Sequence, residues 1–232
     1  IKNQGTLDKN IGDAIVAFYG APISVEDHEY KACITALEMQ KQQKMLRDKW
    51  KREGKTWPDI VHKMNTRIGL HTGPMVTGNM GSEQRMNYTM MGDTVNLAAR
   101  LEASSKQYGV YTQISEDTYR AVEGRVVVRE LDFVKVVGKL LPVRTYELIA
   151  LQGEENELYK TLVPDFHEAL ETYRSKKFTK AKNMFKKLEK AEEPLPGRNK
   201  SPSGIYAQRC EHFISSPPEE DWDGVWVMTQ KK

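Results

Sequence analysis

The sequence predicts an α/β (α+β) protein with a helical hairpin appended at its C-terminus. Three observations support this prediction. Near the N-terminus, two short and partly apolar runs flank the turn dipeptide Gly12-Asp13, a pattern typical of a β-hairpin. Segments with strand and helix periodicity then alternate as far as about residue 150. Beyond residue 151 the chain becomes more charged, and its apolar residues follow helical spacing.

The N-terminal hairpin would pair residues 6–11 with residues 14–19 and place Asp13 at its tip. A carboxylate at a hairpin tip lies in solvent, where its oxygens could bind a hard divalent cation. Asp is also a common turn residue, because it tolerates turn conformations. The dipeptide by itself therefore leaves Asp13 open to two interpretations, a metal ligand and a turn residue.

A long surface helix and a series of strands are predicted after the hairpin. The helix extends from near residue 25 into the basic segment 41–55, because small and apolar residues recur with helical spacing. A second helix begins with Asp93 as its N-cap and ends near Gly109, a suitable C-cap residue. The predicted strands are 67–70 paired with 75–77, a hairpin arm between 78 and 91, and then 110–114, 126–131, 133–137 and 144–149.

Two polar residues of the second helix, Asn96 and Arg100, are four positions apart and therefore share one face. Such a pair could bind a polyphosphate, with the Arg making bidentate, charge-assisted hydrogen bonds. A solvated helix face is the more common reason for this spacing. The pair alone does not decide between these interpretations.

Six ordered motifs extend the argument from single residues to most of the chain. They are DKNIGD at 8–13, FYGAP at 18–22, RIGLHTG at 67–73, GNMGS at 78–82, YTMMGDTVNLAARLE at 88–102 and GKLLPVRTYEL at 138–148. Together they resemble the catalytic domain of class III nucleotidyl cyclases, the adenylyl and guanylyl cyclase family. The resemblance implies a ferredoxin-like βαββαβ cyclase sandwich for residues 1–150 and leaves residues 151–232 as a helical tail.

The resemblance also implies a role for individual residues. Asp13 looks like one of two metal-binding aspartates. Asn96 looks like the residue that orients the ribose, and Arg100 like the one that stabilises charge developing on the phosphates. Lys9 and Thr89 fall at the positions that read the purine, where guanylyl cyclases usually carry Glu and a small residue instead. A Lys donor and a Thr hydroxyl match adenine, so the implied substrate is ATP.

The reaction implied by the resemblance is the cyclisation of ATP. Two Mg²⁺ or Mn²⁺ ions activate the ribose 3′-hydroxyl for in-line attack on the α-phosphorus, and pyrophosphate leaves. The family binds its nucleotide between two catalytic domains, which implies a homodimer with two equivalent sites. In each site Asp13 of one subunit would act with Lys9, Thr89, Asn96 and Arg100 of the other.

The sequence departs from the family pattern in two places. The family's first strand, with its metal-binding Asp in a motif resembling F-S-D-I-x-G-F-T, is absent from these residues. We therefore expect the fragment as written to lack a complete two-metal site and to be inactive. Val137 stands where many relatives have a phosphate-binding Lys. Lys139 or Lys135 could bind the phosphates instead, because a Lys side chain is long and flexible, but both could equally be surface residues.

Two other functions stay open at this point. One is a guanylyl cyclase or a cyclase that accepts both purines. The other is a non-catalytic module, in which the cyclase fold serves dimerisation and the tail binds another protein. Binding of RNA is disfavoured, because the aromatic sheet motif of RNA-recognition modules is not seen.

Composition limits the binding partners and the cellular location expected of the protein. Hydrophobic residues make up 39% and charged residues 29% of the 232 residues, with a net charge of +3, so a full core can be buried without a strongly basic nucleic-acid surface. No apolar run reaches membrane-spanning length, so we expect no direct membrane contact by this fragment. Cys33 and Cys210 are far apart, which suits reduced thiols and a cytoplasmic location. An upstream sensor domain, membrane-anchored in the parent protein, is a further expectation from the family.

The C-terminal tail carries two apolar helical stripes separated by a short turn, which resembles a single tetratricopeptide-type (TPR-like) hairpin. One such repeat cannot bury both of its faces, so we expect it to pack, with a third helix near 205–214, on the cyclase domain or on its twin. Trp222 and Trp226 are close together near the chain end and are expected to be docked, because exposed Trp pairs are costly. The stripes comprise Phe166, Ala169, Leu170 and Tyr173, and then Phe178, Ala181, Phe185 and Leu188.

Overall fold

The computed structural model describes residues 2–134, 143–192 and 200–226. Within these residues the strands are β1 (Thr6–Ile11), β2 (Ala14–Phe18), β3 (Ile68–Leu70), β4 (Val76–Ser82), β5 (Arg85–Met91), β6 (Thr112–Ser115), β7 (Val126–Val134) and β8 (Val143–Leu151). The helices are α1 (His28–Arg52), α2 (Asp93–Tyr108), α3 (Glu116–Val122), α4 (Glu157–Arg174), α5 (Phe178–Ala191) and α6 (Pro202–Ser215). The predicted mixed α/β class with a helical C-terminal part is therefore confirmed.

A four-stranded mixed sheet in the order β3-β6-β8-β7 lies at the centre of the first 151 residues. β3 and β6 run parallel, whereas β8 runs antiparallel to both of its neighbours. Two antiparallel hairpins, β1-β2 and β4-β5, stand beside this sheet as separate two-stranded ribbons. The predicted hairpin with Asp13 in its turn is among them.

The two faces of the central sheet are covered by different parts of the chain. On one face, apolar residues of β7 and β8 such as Val128 and Leu148 form a core with Cys33 and Ala36 of α1. Side chains alternate between faces along a strand, so their neighbours Arg129 and Glu147 point to the other face. That face is covered by the C-terminal helices.

Buried ion pairs attach the C-terminal helices to β7. Arg129 Nε donates to Glu147 Oε2 at 3.0 Å, and its Nη1 also contacts Glu192 at the end of α5. Asp132 of β7 accepts from Arg209 Nη1 of α6 at 2.7 Å. The tail thus packs on the cyclase-like part of the same chain, which was one of the two expected positions.

The tail forms its own core. α5 packs against both α4 and α6, and both predicted apolar stripes are buried in one cluster. Trp222 and Trp226 pack against this cluster, as expected of a docked aromatic pair. Residues 193–199, which separate α5 from α6, lie outside the described part of the chain. The TPR-like assignment and the boundary at residue 150 stay predictions.

The predicted strand pairing is wrong for residues 67–70. β3 does not pair with the strand that follows it in the chain, because β4 pairs with β5 and β3 pairs in parallel with β6. Parallel pairing joins strands that are distant in sequence, so local patterns cannot reveal it. The predicted strands at 126–131 and 133–137 are one strand, β7, in the described range, with a register shift between Glu130 and Asp132.

Two helix details also differ from the prediction. Gly92 is the N-cap of α2, and Asp93 is its first residue. A short helix, α3, was not predicted, although Ser115 caps it by accepting a hydrogen bond from the backbone N–H of Thr118. Its seven residues are too few for a clear helical periodicity.

None of the helices in the described part of the chain combines the length and the apolar character needed to cross a membrane.

Candidate functional site

Lys9 and Asp13 lie at different positions along the β1-β2 hairpin. Ile11 pairs with Ala14, so Gly12 and Asp13 form a two-residue turn, and Gly12 adopts a left-handed φ of 61° that suits glycine. Asp13 is exposed at the tip of the hairpin. Lys9 lies further down β1, facing the neighbouring β4-β5 hairpin.

Lys9 and Thr89, the two predicted purine-reading residues, are in contact. Lys9 Nζ donates a hydrogen bond to Thr89 Oγ1 at 2.9 Å, although the residues are 80 positions apart. The Lys9 side chain is 46% exposed, whereas Thr89 is buried on β5. The Lys9 side chain therefore lies at the surface, where an ammonium proton that is not used by Thr89 can be donated to a ligand.

Asp8 is a third member of this cluster, and we did not predict it. Its Oδ2 accepts a hydrogen bond from Thr89 Oγ1 at 3.0 Å and lies 3.4 Å from Lys9 Nζ. Strict alternation would direct Asp8 and Lys9 to opposite faces of β1. A register shift between Leu7 and Lys9 makes Asp8 the extra residue of a bulge, which re-aims its side chain. The only sequence signal was its position before Lys9 in DKNIGD.

Helix α2 carries Asn96 and Arg100 and packs closely on β3. A Cβ atom on Gly69 of β3 would collide with the backbone of α2 at Ala98 and Glu102, so a residue without a side chain is needed there. Asn96 is exposed and Arg100 is half-buried. This close contact between α2 and β3 fixes the distance of Asn96 and Arg100 from the sheet.

The guanidinium of Arg100 has unused hydrogen-bonding capacity. Its Nη1 is buried, and no hydrogen-bond partner is found for it among the described residues. A buried donor without a partner is costly in a folded protein. An anionic ligand would remove this cost, because guanidinium groups bind phosphate and carboxylate oxygens strongly. This arrangement is suited to an incoming phosphate.

The predicted site residues are only partly assembled in one chain. Lys9 and Thr89 are together, and Asn96 and Arg100 share a helix. No hydrogen bond or ion pair in the described residues links Asp13 to any of these four. Lys139 lies outside the described residues, as do Val137 and Lys135.

A metal ion would find few ligands in the described residues of a single chain. They contain no group of three or more His, Cys, Asp or Glu side chains arranged to hold one. Asp13 offers one exposed carboxylate. Mg²⁺ is commonly held by one or two carboxylates together with the phosphates of a bound substrate, so Asp13 fits as one ligand of a cation that arrives with a nucleotide.

Both hairpins expose apolar side chains. Six of them are each between 55% and 67% exposed: Leu7, Ile11, Ile15, Val76, Met86 and Met91. They lie on β1, β2, β4 and β5, and two of these strands, β1 and β5, carry Lys9 and Thr89. Apolar surface of this kind on two ribbons outside the main sheet is typical of an interaction surface.

Comparison with known proteins agrees with this arrangement. Residues 5–150 match the family described as Adenylate and Guanylate cyclase catalytic domain. The chain is 31% identical to Adenylate cyclase 1 of Rhizobium meliloti over 149 residues, 64% of this chain and 22% of that protein. It is 31% identical to the terminal-differentiation-specific adenylate cyclase of Dictyostelium discoideum over 216 residues, 91% of this chain and 10% of that protein. The chain thus spans less than a quarter of the length of either relative.

Solved structures give the same result. The adenylyl cyclase CyaB from P. aeruginosa superposes with a TM-score of 0.57 and 30% identity, covering 67% of this chain and 76% of that one. The guanylyl cyclase Cya2 superposes with a TM-score of 0.54 and 30% identity, covering 67% and 75%. With the family match extending over more than half of its residues, the chain belongs to the adenylate and guanylate cyclase catalytic domain family.

Proposed function

We propose that this chain is the catalytic region of an adenylyl cyclase, which converts ATP to 3′,5′-cyclic AMP and pyrophosphate. The observation that carries the proposal is the 2.9 Å hydrogen bond from Lys9 Nζ to Thr89 Oγ1. Family resemblance assigns both residues to the purine, and their contact supports a common base-binding surface. An ammonium donor beside a hydroxyl suits the edge of adenine, which offers a ring-nitrogen acceptor and a 6-amino donor.

Asn96 and Arg100 would act on the rest of the nucleotide. Asn96 would orient the ribose, and Arg100 would bind the phosphates and stabilise the charge that develops on them in the transition state. The buried and unpartnered Nη1 of Arg100 supports this role, because a preorganised donor needs no rearrangement during the reaction. Removing it should lower kcat by a factor on the order of 10² to 10³, as for other preorganised donors.

Asp13 would be a ligand of the divalent cation. Two Mg²⁺ or Mn²⁺ ions in the complete site would neutralise charge on the triphosphate and make the attacking 3′-hydroxyl more acidic. Lys139 is proposed as a further phosphate-binding residue, because its charge needs little orientation.

The active form is proposed to be a homodimer. The six exposed apolar side chains of the two hairpins are candidates for the contact surface, because a stable dimer would bury them. In a twofold dimer, Asp13 of one subunit would serve with Arg100 of its partner, and two equivalent sites would result.

ATP is the proposed substrate in preference to GTP, although relatives of both kinds are found. A subunit named Guanylate cyclase soluble subunit beta-2, from Rattus norvegicus, is 32% identical over 154 residues, 65% of this chain and 20% of that protein. What favours ATP is the pair of residues at the base positions, Lys9 and Thr89.

The test is cyclic nucleotide production with Mn²⁺ and either ATP or GTP. It should use the 232-residue chain and a version extended upstream through the first strand of the family. The extended protein should make cyclic AMP from ATP, and Asp13→Ala should abolish it. Asp59→Ala, which removes an exposed carboxylate outside the six family motifs, is the matched control.

Two results would contradict the proposal. Cyclic GMP from GTP without cyclic AMP from ATP would make the protein a guanylyl cyclase. No product from either nucleotide, in an extended protein shown to be folded and dimeric, would favour the non-catalytic module.

A further inference from the structure

The partners of the Thr89 hydroxyl determine which way its proton points. A threonine hydroxyl has one proton to donate and two lone pairs that accept. Lys9 Nζ, 2.9 Å away, has no lone pair and can only donate. Asp8 Oδ2, 3.0 Å away, is a carboxylate oxygen and accepts the hydrogen bond from Thr89 Oγ1. The single proton of Thr89 is therefore committed to Asp8, and one lone pair is committed to Lys9.

One lone pair of Thr89 Oγ1 is left for a ligand, so this hydroxyl meets a ligand only as an acceptor. A 6-amino group, as in adenine, can donate to that lone pair. A 6-oxo group, as in guanine, would present its own lone pairs at the same place and could not bond. The choice between the two purines thus depends on where the Thr89 proton goes.

We propose that Asp8 is a positioning residue for purine selection, which holds the Thr89 hydroxyl as an acceptor and so favours 6-amino over 6-oxo purine nucleotides. This inference rests on the proposed function, because it takes Lys9 and Thr89 as the base-reading pair. Asp8 acts through Thr89 and not by contact with the base.

Burial and backbone geometry support this role for Asp8. Its side chain is only 3% exposed, whereas that of Lys9 is 46% exposed. Asp8 therefore lies on the buried side of Thr89, and Lys9 lies on the solvent side. The bulge at Asp8 costs β1 a regular pairing and turns the carboxylate to the Lys9 side of the strand. Lys9 Nζ, 3.4 Å from Asp8 Oδ2, also gains a counter-charge.

Asp8→Asn is the informative change, because it keeps the size of the side chain and adds a donor. The Asn amide can donate to Thr89 Oγ1, which frees the hydroxyl proton to point at the ligand. A 6-oxo group then becomes acceptable. We expect the preference for ATP over GTP to fall about tenfold, the usual consequence of losing one hydrogen bond, here between the 6-amino group and Thr89. We expect this change to raise the KM for ATP more than it lowers kcat, since the base is bound equally before and during the reaction.

The primary measurement is the dissociation constants of ATP and GTP for the 232-residue chain, by titration calorimetry. The variants are Asp8→Asn, Thr89→Val and the double variant, with Asp59→Asn as the control that removes an exposed charge. Thr89→Val keeps the shape and removes the hydroxyl. Because Asp8 acts through that hydroxyl, Asp8→Asn should not change the ATP-to-GTP ratio further in the Thr89→Val protein.

Binding and activity separate this inference from the proposed function. A chain that prefers ATP in binding, and loses that preference with Asp8→Asn, supports the role of Asp8 even if the extended protein makes no cyclic nucleotide. Three results would overturn it: no preference for ATP in the unmodified chain, equal weakening of both nucleotides by Asp8→Asn, or an undiminished effect of Asp8→Asn in the Thr89→Val protein.

Discussion

Asp132 is a buried carboxylate whose two oxygens both have partners. Its Oδ2 accepts from Tyr108 at 2.6 Å and from Arg209 at 2.7 Å. Its Oδ1 accepts from the backbone N–H of Phe133 at 2.8 Å, and the hydroxyl oxygen of Tyr206 lies 3.3 Å away. Burial, with the nearby carboxylate, raises the pKa of Tyr108 well above its ordinary value, so the hydroxyl stays a donor. At the scale of single residues, this cluster attaches the tail to the sheet.

Asp132→Asn should be among the most destabilising single changes in the chain. It leaves the guanidinium of Arg209 buried without its counter-charge, and breaking a buried pair in this way costs about 3–5 kcal/mol. The measurement is the free energy of unfolding in urea. Asp48→Asn is the control, because its pair with Lys44 is exposed, with side chains 54% and 74% accessible, and should cost about 0.5 kcal/mol or less. Equal losses in the two variants would contradict the argument.

At the scale of elements, the contact between α4 and β7 depends on an uncharged histidine. His167 Nε2 accepts a hydrogen bond from the backbone N–H of Glu130 at 3.0 Å, which requires a ring nitrogen without a proton. Burial is the main cause that lowers the pKa of His167, and the positive charges of Arg129 and Arg174 lower it further against the opposing effect of Glu130. The folded protein therefore favours neutral His167 more than the unfolded chain does.

The sign of the pH dependence follows from this difference. Because the folded pKa is the lower one, the unfolded chain binds more protons, and stability falls as the pH decreases below the ordinary His pKa of about 6.5. Between pH 7.5 and pH 5.5, we expect the free energy of unfolding of the unmodified protein to fall by about 1 kcal/mol more than that of His167→Gln, which is the value of one hydrogen bond. Gln keeps an acceptor and does not titrate. If the free energy of unfolding changes with pH by the same amount in the two proteins, the prediction is wrong.

The contact of β3 with α2 is a second element-scale feature with a measurable consequence. Gly69→Ala would drive a methyl group into the backbone of α2, and relief of such overpacking typically costs about 1–3 kcal/mol. The shift of α2 would also move Asn96 and Arg100, so we expect nucleotide affinity to fall along with stability. Gly78→Ala is the control, since nothing lies within 4 Å of its added Cβ. If Gly69→Ala matches that control in thermal unfolding, the packing argument is wrong.

At the scale of the whole molecule, the proposed dimer predicts complementation between two inactive variants. Asp13→Ala and Arg100→Ala each damage both sites of a homodimer. In a mixed dimer both changes fall in the same site, and the other site is intact. An equal mixture of extended proteins should therefore recover about a quarter of the unmodified activity, since half of the dimers carry one of two sites.

Activity of the mixture no higher than the mean of its two components would mean that Asp13 and Arg100 act within one subunit. Native mass spectrometry of the same samples, which separates mixed from unmixed dimers by mass, checks that subunits have exchanged. A mixture of Asp13→Ala with Asp13→Asn is the matched control, because neither variant supplies an intact Asp13 and no recovery is expected.

Features that depend on neighbours in the chain were predictable from the sequence. The hairpin around Gly12 follows from a turn dipeptide, α2 from its periodicity and the C-cap Gly109, and the tail from two apolar stripes. Family motifs added Lys9 and Thr89 as predicted site residues, and the structure shows these two in contact. Local turn and packing preferences suffice for such features.

Contacts between groups that are distant in sequence depend on the tertiary structure. The parallel pairing of β3 with β6, the bulge that brings Asp8 to Thr89, and the burial of Arg129 and Asp132 under the tail could not be predicted from local pattern. Charged residues in a strand would ordinarily be assigned to its solvent face. They are buried here because α5 and α6 bring Glu192 and Arg209 to them, and ion pairing between elements far apart in sequence offsets the cost of removing charge from water.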